Sequence, residues 1–203
     1  MTRSQIALLC FFFFVFFAAL LAFLMWPTRE VGKGLDLQAQ AHTGERIRLS
    51  ELPGDVRLVY FGYLNCPDVC LDAALSIAGA LKTLASNAPE VHKRVLNVFV
   101  TLDPANDVIA GTYNELEGYI DSRYGGQGIA LRPRDRADAL RMAQAFGIHF
   151  EYVEDAFFSL GYRVDHASLI FLTDRAGNIL TFFPDRTPGQ VIALEIQNYL
   201  SQR

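Results

Sequence analysis

The chain has 203 residues and a formal net charge of −4, enough for one globular domain. An acidic balance excludes nucleic acid as a partner, because capture of a phosphate backbone needs a basic surface. No internal repeat occurs, and the one low-complexity stretch is a phenylalanine-rich run near the N-terminus.

That run is the first predicted element. After a short tail, residues 1–5, positions 6–26 carry no charge, and as a helix they would extend about 31 Å, matching a hydrocarbon core of roughly 30 Å. The run exceeds the roughly 7–15 residues of a cleavable signal core, and no Ala-x-Ala site follows it, so we expect an uncleaved transmembrane helix with Cys10 as a passenger. Arg3 before the run and Arg29 and Lys33 after it leave the orientation undecided by local charge. Five preceding residues leave no room for a mitochondrial transit peptide, which points to a bacterial inner membrane. A redox-active cysteine pair fits a domain exported to the periplasm. Residues 27–34 read as a linker and 35–203 as one domain.

Within that domain, apolar strand-like runs recur at 56–61, 95–101, 149–153, 168–173 and 179–183. Helical composition or spacing marks 71–85 and 108–120, the latter with Asp107 placed to cap it. Asp135 can cap a helix over 136–146 that Gly147 stops. Thr187-Pro-Gly-Gln190 reads as a capping box opening a last helix to Leu200, and 173–178 as the turn of a hairpin. Helices between buried strands, then a hairpin and a terminal helix, predict an α/β sandwich of thioredoxin type with a mixed central sheet.

Cys66-Pro-Asp-Val-Cys70 follows the first of these strands and opens a helix. Unpaired amides and the helix dipole there lower a thiol pKa below its free value of about 8.5. A spacing of four brings Cys70 near the face of Cys66. With Cys10 in the apolar run, pairing inside the domain is confined to these two cysteines. A disulfide between them closes too short a loop to stabilise much. A closed zinc site would need a second pair of ligands, which the chain lacks, whereas two thiolates and one histidine suit Cu(I). A metal site and redox-active thiols both remain open on this spacing.

Three segments in order then carry a family resemblance: Phe61-Gly-Tyr-Leu-Asn-Cys-Pro-Asp-Val-Cys70, Phe99-Val-Thr-Leu-Asp-Pro104, and Val164-Asp-His166 with Thr173-Asp-Arg-Ala-Gly177 beyond it. The sequence resembles the SCO/SenC family of membrane-anchored copper proteins from about Asp36 to its C-terminus. The resemblance implies copper bound by Cys66, Cys70 and His166, as Cu(I) or, with a further donor, Cu(II). It also implies delivery to the copper-accepting subunit of cytochrome c oxidase, or reduction of that subunit's thiols. Another copper chaperone or a thiol reductase is an expected further partner. Leu71, Asn106, Val108 and Ala167 depart from the usual family residues, and none is at a ligand position.

The remaining residues have plainer readings. Asp68 serves as a helix-start carboxylate, or supports the site or touches a partner; Asp103-Pro104 is a strand-to-helix turn, or, as the resemblance implies, Asp103 lies behind the site or at a docking surface. Asp165 orients His166 through a hydrogen bond or faces solvent. Tyr63 packs over the thiol loop, while His42, His92 and His149 are surface or hydrogen-bonded histidines. A metallochaperone without turnover is the expected function. The alternative is a thiol-disulfide oxidoreductase using Cys66 and Cys70, but no proline occurs over 164–168, where such enzymes place one facing the thiols.

Overall fold

The computed structural model describes residues 38–66, 69–110 and 113–202, with the isolated positions Gln5 and Phe17. The expected membrane helix, the linker and Asp68 lie outside the described residues, as do the side chains at 69, 70, 109, 110, 113 and 114. Among the described residues no helix is long and apolar enough to cross a membrane.

In chain order the strands and helices begin with β1 (Gln38–Ala41), β2 (Arg46–Arg48), β3 (Val56–Gly62), α1 (Val69–Asn87), the one-turn α2 (Pro89–His92) and β4 (Val95–Thr101). A two-rung ladder, β5 (Ile109–Ala110) and β6 (Tyr113–Asn114), leads into α3 (Glu115–Tyr124), β7 (Ile129–Arg132) and α4 (Arg136–Ala145). The chain closes with β8 (Phe150–Glu154), β9 (Tyr162–His166), β10 (Leu169–Asp174), β11 (Ile179–Pro184) and α5 (Gly189–Ser201).

One sheet has the order β11-β10-β3-β4-β7-β1-β2. β3, β4 and β7 are parallel, and the strands on either side pair antiparallel. The sheet is therefore mixed, and the β11-β10-β3-β4 quartet with α1 before β4 and α5 after β11 is the thioredoxin-like core. Parallel strands need long crossovers, which cover both faces and make a continuous apolar run the natural central strand. All of β3 is buried accordingly. Its Val56, Leu58 and Tyr60 join α1 and α5 in one core, while Val59 and Phe61 join α4 and Phe171 in the other.

Arg57 is the exception within that apolar run, fully buried at 0% exposure. Its guanidinium donates to the carbonyls of Asp174 at 3.1 Å and Arg175 at 2.8 Å, and to that of Leu52. A planar fork with several donors can serve several carbonyls at a strand end at once.

Two predicted helix starts are corrected. Ile109–Ala110 and Tyr113–Asn114 form the small ladder instead of helix, so α3 begins at Glu115 and Asp107 does not stand at its start. α5 begins at Gly189, with Pro188 at its cap and no side-chain cap hydrogen bond, so the Thr187 capping box does not form. Close packing governs that end: a Cβ on Gly189 would meet the Gly79 and Ala80 backbone of α1 at 2.4–2.8 Å. α4 agrees with its prediction, Asp135 accepting the Asp138 amide at 2.8 Å.

Candidate metal centre

β3 ends at Gly62, and the chain turns through Tyr63, Leu64, Asn65 and Cys66 before α1 begins at Val69. The turn is held from within, since the Cys66 amide donates to the Tyr63 carbonyl at 3.3 Å. Cys66 is half-buried and packs against both hydrophobic cores. Cys70 belongs to the first turn of α1.

His166 ends β9, paired across the hairpin with Phe150. Its ring lies edge-on to Tyr60 and Tyr63, with centroids 6.3 and 6.5 Å apart. Tyr63 belongs to the cysteine turn, so that turn and the end of the histidine strand lie side by side. Nδ1 is 3.1 Å from the Ala167 carbonyl, a bond that requires the proton on Nδ1. Nε2 then presents its lone pair, buried and without a hydrogen-bond partner. An unpartnered buried acceptor carries a desolvation cost that coordination to a soft cation would offset. The donor types fit copper. Among the described residues no three His, Cys, Asp or Glu side chains form a metal cluster, and the Cys70 thiol lies outside that set.

Behind the cysteine turn and the end of β9 runs the turn from Thr101 to Asp107. The Leu64 amide donates to the Asp107 carboxyl, 3.1 Å from Oδ2, and the Thr101 hydroxyl donates to the same oxygen. Burial raises the Asp107 pKa to about 7, with Asp103 and Glu115 adding repulsion against the two hydrogen bonds. Asp103 is fully buried and accepts from Tyr162 at 2.6 Å and Asn106 at 3.0 Å. It therefore lies behind the site, and burial removes the docking role considered for it. The Tyr152 hydroxyl donates to the Leu102 carbonyl, and Arg136 stacks 3.8 Å over the Tyr152 ring. Burial and the neighbouring Asp103 raise the Tyr162 pKa to about 12.

Asp165 makes a two-point ion pair with Arg163, at 2.6 and 3.0 Å, while Arg163 also reaches Asp155 at 2.7 Å. The Arg163 hydrogen bond lowers the Asp165 pKa. Of the two readings of Asp165, the bond to His166 is not made: the Ala167 carbonyl takes that place. His42 accepts the Ala130 amide at 3.0 Å, His92 meets Gln127 at 2.9 Å, and His149 is exposed, as expected of structural histidines. The sequence reading missed Asp107 as a latch, and with it Tyr152, Tyr162 and Arg136. Only the aromatic residues Phe150 and Tyr152 within the 149–153 run hinted at them.

A sequence model of the SCO1/SenC family matches residues 30–201. Protein sco1 of Schizosaccharomyces pombe is 25% identical over 162 residues, which cover 80% of this chain and 59% of that protein; the chain spans under two thirds of this relative. A copper-bound ScoI from Arabidopsis thaliana superposes with a TM-score of 0.71 at 20% identity, covering 84% of this chain and 99% of its own. For a copper-bound ScoI from Bradyrhizobium japonicum the TM-score is 0.68 at 24% identity, covering 82% and 98%.

Proposed function

The chain belongs to the SCO1/SenC family, and from that premise we propose that it is a copper metallochaperone serving cytochrome c oxidase assembly. Its cargo is Cu(I), held by the Cys66 and Cys70 sulfurs and by His166 Nε2. The observation that carries this reading is the buried, unpartnered Nε2, with Nδ1 fixed by the Ala167 carbonyl. Two thiolates retain a soft ion tightly, and a third ligand from a strand end leaves room for an acceptor's incoming thiolate. Transfer then proceeds by ligand exchange, without release into water. Oxidation to a Cys66–Cys70 disulfide would remove both soft ligands and switch loading off.

The proposed setting is a bacterial inner membrane, with residues 6–26 as a single span and the domain in the periplasm. The acceptor is the subunit that builds the oxidase's dinuclear copper site. The copper-bound relatives named above support the choice of metal.

The test is an anaerobic Cu(I) competition titration of the full chain, its Cys66→Ser and His166→Ala variants, and the oxidised protein. We expect one tightly held ion per chain, weakened by both substitutions and lost on oxidation. Binding indifferent to His166, with disulfide-reducing activity that needs Cys66, would make thiol exchange the function instead.

A further inference from the structure

We infer that the outer face of α1 is the surface on which the copper acceptor docks, with an acidic side chain of the acceptor entering a pocket between α1 and α3 lined by Lys82 and Arg123. The inference rests on the metallochaperone reading above and names the chemistry of its partner.

The face begins at the metal site. Cys70 lies in the first turn of α1, so a partner that takes an ion from Cys66 and Cys70 must stand over that turn. Leu71, Leu75, Ala78 and Lys82 follow at helical spacing, which places them in one row along the helix. The opposite row, with Ala73, Ile77, Ala80 and Leu84, is buried in the core. Leu71 is 39% exposed and Leu75 61%. The neighbouring acid, Asp72, is neutralised by Arg186 at 2.8 Å. Exposed apolar side chains also occur on other elements, at Phe157, Phe182, Val191 and Leu194. What distinguishes the α1 row is that it leads from the cysteine turn into a cavity.

That cavity has a volume of about 180 Å³. Ala78, Leu81 and Ala85 of α1 give it an apolar lining, while Lys82 of α1, Arg123 of α3 and Gln127 just beyond α3 supply polar groups. Among the described residues neither Lys82 nor Arg123 has an ion-pair partner, and the α3 acids Glu117 and Asp121 do not line the cavity. His92 donates from Nε2 to Gln127 Oε1 at 2.9 Å, which leaves the Gln127 amide nitrogen as a donor. All three polar groups are therefore donors, and two are cations. Such a set recognises an anion, and in a chain of net charge −4 it is a local reversal of sign. An acidic partner is drawn to this pocket and repelled by the chain's overall charge elsewhere. The leucine row that continues from the pocket to the metal site makes the anion part of a protein and not a small solute. Lys82 is eleven residues beyond Leu71, about 16 Å along the helix axis. One acceptor segment can therefore cover the row and reach the pocket while its copper ligands face the cysteines.

The test uses the full chain in neutral detergent and the soluble copper-accepting domain of the oxidase subunit from the same organism. Binding and Cu(I) transfer are measured anaerobically for the parent, the paired reversal Lys82→Glu with Arg123→Glu, and Leu75→Ser. Arg141→Glu, at an exposed position on α4 across the sheet, is the charge control. We expect the paired reversal to weaken acceptor binding about ten-fold at low salt, and less in roughly 1 M salt. Leu75→Ser should weaken it about three-fold at either salt concentration, because an apolar contact is not screened. Arg141→Glu should match the parent, and all four proteins should hold Cu(I) with the same affinity. Equal weakening by Arg141→Glu and the paired reversal would reduce the effect to net charge and overturn the inference. Acceptor binding indifferent to Leu75, Lys82 and Arg123 would overturn it while leaving the chaperone standing. Inorganic phosphate bound by the parent and lost in the paired reversal, with acceptor binding unchanged, would give the pocket to a small anion and overturn it too. A parent that holds no Cu(I) yet binds the acceptor through Lys82 and Arg123 would refute the chaperone and keep the docking surface.

Discussion

The two edges of the central sheet treat charge in opposite ways. At the far edge Asp55 binds Arg94 at 2.6 Å and Arg175 at 2.7 Å, and the Arg94 hydrogen bond leads the lowering of its pKa. At the site edge Asp103 and Asp107 are buried with no cationic partner among the described residues, and burial pushes Asp107 up to about 7. Paired charges fix the far edge in one arrangement. Uncompensated carboxyls and an orphaned imidazole nitrogen at the other edge cost stability, as is common where a protein must hold ligands ready for an ion. The difference separates an edge that supports the fold from one that serves the site.

The largest effect should come from the supporting edge. Arg57→Met removes the donor shared by the carbonyls of Leu52, Asp174 and Arg175; the Asp174 carbonyl keeps the Gly177 amide, and a buried acceptor left unpaired costs about 1–3 kcal/mol on top of the lost charged hydrogen bonds. We expect a loss of about 3–5 kcal/mol in urea unfolding, with Cu(I) affinity of the folded fraction retained. A loss below about 1 kcal/mol would show that water replaces the guanidinium.

His166→Ala should behave in the reverse manner. It removes a buried nitrogen that has no partner in the fold, so unfolding stability should hardly change. Cu(I) affinity should fall by more than the roughly 10–100-fold that loss of a mere orienting group produces. A variant that lost stability and kept its affinity would reverse the assignment of the two edges.

Much of this was legible in the chain. The β3 run and the cysteine turn follow from continuous apolar residues ending at Gly62, and α4 from the Asp135 cap and Gly147. β1, β2, β7 and β9 escaped because a strand of three to five residues whose neighbours supply its burial carries no periodicity of its own. Asp107 was misread for a physical reason: a carboxylate before an apolar periodic stretch has the same local pattern whether it caps a helix or turns inward. Only the tertiary position of Leu64, 43 residues earlier, decides. The same holds for Asp165, whose Arg163 partner on its own strand wins over the adjacent imidazole.

Asp107 gives a pH test of the site edge. Its folded pKa of about 7 stands above the ordinary 3.8. Below pH ~4 the carboxyl is protonated in folded and unfolded chains alike and contributes nothing to the difference. Between about 4 and 7 the unfolded chain ionises first, so stability falls as pH rises, and above about 7 the full cost remains. Asp107→Asn keeps an acceptor for the Leu64 amide and removes the ionisation. It should unfold about 2 kcal/mol later than the parent at pH 8 and without advantage at pH 4. An advantage that is the same at both pH values would mean that packing, and not charge, distinguishes this residue.

The smallest effect belongs to Asp55→Asn at the far edge. Although Asp55 meets two arginines, its side chain is 35% exposed and those of Arg94 and Arg175 are more so. Solvent screens such pairs to under about 1 kcal/mol. The lowered pKa gives the sign: stability from the ionised carboxylate is present above its unfolded value near 3.8 and disappears as pH falls below it. Parent and variant should therefore differ by a few tenths of a kcal/mol at pH 7, converge by about pH 3, and differ less in roughly 1 M salt. The two carboxylates thus titrate in opposite directions, Asp107 weakening the fold as it ionises and Asp55 strengthening it. A difference that persisted at low pH would place the Asp55 contribution in geometry that the amide does not reproduce and not in its charge, and would end the contrast between the edges.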